Sequence, residues 1–155
     1  MQSELGRAVR RAFAVGLAAR LPQFVQEKSG RHGVAQYVWR ASEQLSFYLS
    51  LEVHRIWNSF TIEVAWSTSG KYPASTVPDD PNSIQSKTEL RFRLGELWAP
   101  PPKDIWWEVR PGPSCTREEV RLKIEPPVQE ALDQLVIYGV PYMQRVIERQ
   151  SSRQN

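Results

Sequence analysis

The chain is poor in the residues that build reactive centres. It has 155 residues, of which one is cysteine (Cys115) and two are histidines (His32 and His54). A single cysteine forms neither an intrachain disulfide nor a cysteine-rich zinc site, and a lone thiol suits a reducing compartment. Cys115 directly precedes an expected helix cap at Thr116, a place where a thiol can acidify, but it would need His32 or His54 as its base. No H-x-x-x-H or H-E-x-x-H spacing links the histidines. His54 with Glu52 and Glu63 could hold a metal, yet an ordinary cross-strand polar pair explains them better. Neither G-x-G-x-x-G nor G-x-x-x-x-G-K-[ST] occurs, so no glycine-rich phosphate cradle is expected. No apolar run approaches the roughly 18 residues of a membrane span. Arg7, Arg10, Arg11 and Arg20 punctuate the N-terminus. The apolar stretch 12–19 between them is short and ends at Arg20 and Leu21-Pro22, which reads as a helix rather than a secretory signal. The sequence therefore gives no catalytic set, no cofactor, no metal and no membrane segment, and the expected compartment is the cytosol.

What is present fits one ordinary globular domain over residues 1–155, with a polar tail fraying from about 149. Hydrophobic residues make up 41% and charged residues 24%, close to the globular average. Twenty basic against 17 acidic residues leave a net charge of +3. Such a balance permits nucleic-acid binding without arguing for it.

Along the chain the apolar spacing changes period. Leu5, Val9, Phe13 and Leu17 form one stripe of an amphipathic helix over 3–21, with Ser3 as its cap and Pro22 as its stop. Residues 24–28 and 34–41 read as strands. Leu45, Phe47, Leu49, Leu51 and Val53 alternate with Ser46, Tyr48, Ser50, Glu52 and His54, which predicts a strand with one buried and one wet face. Phe60, Ile62, Val64 and Trp66 repeat the pattern after an Asn58-Ser59 turn. Residues 68–87 lose all period and predict a long loop. Leu90, Phe92 and Leu94 restore a strand, and 104–109 adds Trp106 and Trp107. Thr116 and Glu119 predict a capping box. Pro126-Pro127 is expected to interrupt the helix that follows, which resumes with Ala131, Leu132, Leu135 and Val136 on one face. Gly139 should stop it, and Pro141 should open a last turn. The fold class is α+β: an N-terminal helix, an antiparallel meander of about four to five strands, and C-terminal helices packed on one sheet face.

The segments Phe60-Thr61-Ile62-Glu63-Val64, 90–97, Asp104-Ile105-Trp106-Trp107 and Gly139-Val140-Pro141-Tyr142 resemble a bacterial family catalogued as domain of unknown function four-three-zero-four. The likeness spans most of the chain in separate pieces, and Asp-x-Trp-Trp is its most specific part. A family without an assigned function carries over no catalytic residue. Small families of this kind are a source of cytosolic immunity proteins that neutralise toxins, which is an analogy between classes.

The polar sheet face is the candidate surface. Tyr48, Glu52, His54, Thr61, Glu63, Arg91 and Arg93 point away from the expected helices, and tyrosine and arginine are favoured in binding hot spots. Trp106 and Trp107 face opposite ways in a strand, and Trp107 joins the candidate set as an anchor. The expected function is a non-catalytic protein-binding domain, an immunity protein or small adaptor with a protein partner, binding through Tyr48, Glu52, His54, Glu63, Arg91, Arg93 and Trp107. One alternative is a nucleic-acid-binding module using Arg91, Arg93 and Tyr48, although the acids on the same face oppose it. The other is an enzyme whose site gathers scattered polar residues around His54, Glu52 and Glu63.

Overall fold

The N-terminal stripe folds as its spacing predicts. Helix α1 spans Glu4–Arg20 and buries Val9, Phe13 and Leu17. The Leu21 amide still bonds to the Leu17 carbonyl, and Pro22 then ends the helix for want of an N–H. The computed structural model describes residues 4–54, 56, 58–74, 78–98, 104–109 and 116–154. The expected cap at Ser3 and the thiol of Cys115 lie outside them.

Six antiparallel strands follow among the described residues: β1 Val25–Glu27, β2 Val34–Ser42, β3 Leu45–His54, β4 Ser59–Ser67, β5 Glu89–Arg93 and β6 Trp107–Glu108. They lie in the order β1-β2-β3-β4-β5. β6 pairs with the start of β4, beyond the reach of β5. The turn into β4 carries Asn58 at φ 45°, a left-handed conformation that asparagine tolerates better than most residues.

Register places the apolar residues in rows. Tyr37, Leu49, Val64 and Phe92 stand side by side, as do Trp39, Phe47, Trp66 and Leu90. This face receives the helices. Phe13 of α1 meets Tyr37 edge-on at 5.7 Å. Tyr142 meets Phe92 edge-on at 4.8 Å, and its hydroxyl accepts the Trp66 indole N–H at 3.2 Å. That bond satisfies the one polar atom of a fully buried tryptophan.

The C-terminal half departs from the expected breaks. α2 runs unbroken through Pro126 and Pro127 over Arg117–Gln134, and Thr116 caps it by accepting the Glu119 N–H. Gly139 does not stop the chain. Leu135–Gly139 forms one π turn, in which the Val140 N–H reaches back to the Leu135 carbonyl, and α3 continues over Val140–Gln154. The wider turn relieves the clash that Pro141 would make with the preceding carbonyls. The expected frayed tail is helical to Gln154, and Arg153 donates to the Lys87 carbonyl at 2.9 Å.

α1 and α2 lie side by side in the same direction. Arg117 bonds Glu4 near their starts, and Arg20 bonds Asp133 and Gln129 near their ends. Their close approach depends on Gly16, where a Cβ would stand 2.3 Å from Leu132 Cδ1.

Candidate functional site

The expected wet face is largely covered, which corrects the sequence reading. Residues 68–74 fold back across it as a strap, and 78–80 run along the edge of β5. Tyr72 packs edge-on against Tyr48 with ring centroids 5.4 Å apart, and its hydroxyl donates to the Glu63 carboxylate. The Asp79 N–H donates to the Arg91 carbonyl at 2.8 Å, and the Asp79 carboxylate accepts the Arg91 N–H at 3.1 Å. Arg31 reaches in from the β1–β2 loop. Its guanidinium lies over the Tyr72 ring at 5.2 Å and donates to Ser50 Oγ at 3.1 Å. Tyr48 is left only 2% exposed and Glu63 6%, so neither is an open contact residue. Alternation assigns polar residues to a face, but it does not say what lies on top of that face.

Beneath the strap Glu63 is the centre of charge. Arg91 lies 3.4 Å and Arg31 3.9 Å from its carboxylate. Burial, and then the Glu63 charge, pushes the Tyr72 phenol up to about 12, so Tyr72 acts as a donor at neutral pH.

A second cluster, half-exposed, lies at the end of the sheet where β3 stops and β4 begins. Arg93 donates to Glu52 at 2.9 Å, lies 3.6 Å from Asp104 and sits over the Trp106 ring at 5.2 Å. The His54 ring stands edge-on to Trp106 at 6.1 Å. The structure thus brings Glu52, His54 and Arg93 together around Trp106, directly beside the Tyr48–Glu63–Arg91 group, since Glu63 and Arg93 stand opposite one another on β4 and β5. Trp107 is a second correction. It stacks on Phe60 at 5.5 Å and is only 6% exposed, because pairing with the start of β4 turns it to the helix side. Trp106, half-buried, is the surface member of the pair.

On the helix side of the same end, Trp98 lies 6.5 Å from Trp107 and 5.2 Å from Tyr138. The π turn presents Val136, Ile137 and Tyr138, exposed by 38%, 58% and 38%. Val136 therefore does not join the buried face expected of it. Ile56, in the β3–β4 turn, is 80% exposed. The signal for this patch was in the sequence: four successive apolar residues, 135–138, cannot all face one side of a helix. Glu96, in the short turn Leu94–Leu97, has its carboxyl pushed up, first by burial, and one of its oxygens is sealed from solvent without a hydrogen-bond partner among the described residues.

Among the described residues no three histidine, cysteine or acidic side chains converge as a metal site, and no helix is long and apolar enough to cross a membrane. No family model, curated protein or solved structure matches the chain.

Proposed function

We propose that this protein acts by binding another protein, as a toxin-neutralising immunity protein or a small adaptor, through the aromatic end of its sheet. The observation that carries the reading is the exposed run Val136–Ile137–Tyr138 beside Trp98. Exposed apolar residues gathered at one place mark interaction surfaces more often than isolated ones do. Tryptophan, tyrosine and arginine are the residues that dominate binding energy, and Trp106 with Arg93 borders the same end. Membership of the family resembled above belongs to the same proposal.

The test is a tagged pull-down from nuclease-treated lysate of the native organism, run in parallel with Ile137→Asp and Tyr138→Ala. Each variant should retain the partner roughly 30-fold less well, as expected for the loss of about 2 kcal/mol at a hot spot. Lys123→Ala, on the exposed side of α2, should retain it fully. Equal capture by wild type and both variants, or recovery of bait alone, would end the proposal.

A further inference from the structure

The tip of the β1–β2 hairpin stands at the same end of the sheet as the aromatic cluster, displaced sideways by two strands from β4, with Val34 opposite Glu52. Residues 26–35 line an open dish of about 450 Å³. Its lip is the run Lys28-Ser29-Gly30-Arg31-His32-Gly33. Gly33 has φ 76°, and Ser29 Oγ accepts the Arg31 N–H at 3.0 Å, so the tip has a defined shape. Gly30 has open space where a side chain would stand, which lets a ligand approach the backbone closely.

Arg31 turns from this tip to Glu63, but the positive charge of Lys28 and Arg10 is not balanced. Arg10 of α1 donates to the Gly33 carbonyl at 2.8 Å, and burial lowers the affinity of its guanidinium for the proton. Its partner is a neutral carbonyl, and a partly desolvated cation is stabilised far better by an anion. Lys28 and His32 are exposed, with no carboxylate at ion-pair distance among the described residues. The one acid lining the dish, Glu27, is already engaged by Arg40 at 3.7 Å and Gln36 at 3.1 Å. An unpaired ammonium on a concave surface, with a partly buried guanidinium behind it, draws counter-charge.

We propose that the hairpin tip is a binding site for a phosphate group carried by a small molecule. Lys28 and His32 contact the phosphate from the lip, Gly30 leaves its backbone accessible, and the remaining guanidinium donors of Arg10 supply charge from behind Gly33. Phosphate suits the site because its several acceptor oxygens can engage donors from different sides at once.

The experiment is an amide NMR titration of the full chain with inorganic phosphate and with pyrophosphate, against sodium chloride at matched ionic strength. Saturable shifts confined to residues 28–33 are expected, stronger for pyrophosphate. The double variant Lys28→Ala/His32→Ala should weaken binding at least ~10-fold, in line with the loss of one or two charge-assisted contacts, whereas Lys123→Ala should not change it. Both substituted residues are solvent-exposed, and the unaltered part of the spectrum reports that the fold is kept. Identical shifts from sodium chloride, or shifts spread over other basic residues, would overturn the site. A short single-stranded oligonucleotide forms a third arm. Binding by the oligonucleotide without binding by pyrophosphate would overturn the small-molecule assignment.

Discussion

The phenol of Tyr72 donates to Glu63 only while it keeps its proton. Burial raises its pKa from 10.0 to about 12, with the Glu63 charge as the next cause. A raised value means the folded chain holds this proton more tightly than the unfolded chain does. The stability it supplies is complete below about pH 10 and is lost as pH climbs towards about 12. Denaturant midpoints of the wild type should therefore fall across that window, and those of Tyr72→Phe should fall less. Tyr37 and Tyr142 also carry raised values, both through burial first, so the difference between the two proteins isolates Tyr72. At neutral pH the variant should be less stable by about 1–3 kcal/mol, because a carboxylate shielded from water has lost a donor. Parallel pH curves would show that the Tyr72 proton is not linked to folding. Sequence alternation correctly put Tyr48, Glu63 and Arg91 on one face. Nothing in it marked Tyr72, in a stretch without period, as the residue that covers them.

At the scale of elements, the strands, the extent of α1 and the Thr116 cap were legible, and the expected breaks in the C-terminal helices were not. Alternation in β3 and β4 is a two-residue signal that a sheet satisfies by itself, so the antiparallel meander and the α+β class follow from it. Helix breaks were read from proline and glycine by a local rule, and tertiary packing overrode that rule. Pro126 and Pro127 remove the bonds that would reach the carbonyls of Leu122 and Lys123. Both of those residues are exposed, so water can serve the freed carbonyls and the helix persists at a cost. Its buried line of Ile124, Val128, Ala131 and Leu132 provides the compensation. Since an interior proline is about 3 kcal/mol less favourable than alanine in a helix, Pro126→Ala should stabilise the protein. The gain should be about 1–3 kcal/mol after allowing for the looser unfolded chain, read as a higher urea midpoint. A drop in stability would mean that the Pro126 ring is needed for packing.

The whole molecule has two layers on its sheet, and they are held differently. On the helix side, α1, α2 and α3 bury a continuous apolar core. On the other side the strap at residues 68–74 covers a polar face through a few contacts, chiefly those of Tyr72, whereas Ile84 and Lys87 farther along pack against α3 on the helix side. Local stability tracks the density of buried apolar contacts, so the strap should open without unfolding the core. Tyr72→Ala removes the ring against Tyr48, the donor to Glu63 and the seat of the Arg31 guanidinium in one step. Hydrogen exchange should then show lost protection at residues 71–74 while amides of Leu49 and Val64, in the centre of the sheet, keep theirs. Trypsin should cut after Lys71 at least ~10-fold faster, since proteolysis follows the population of the open form when reclosing is fast. Uniform loss of protection across the sheet would mean that strap and core form one cooperative unit. In that case the polar network around Glu63 supports the fold as a whole rather than serving as a fastening laid over it.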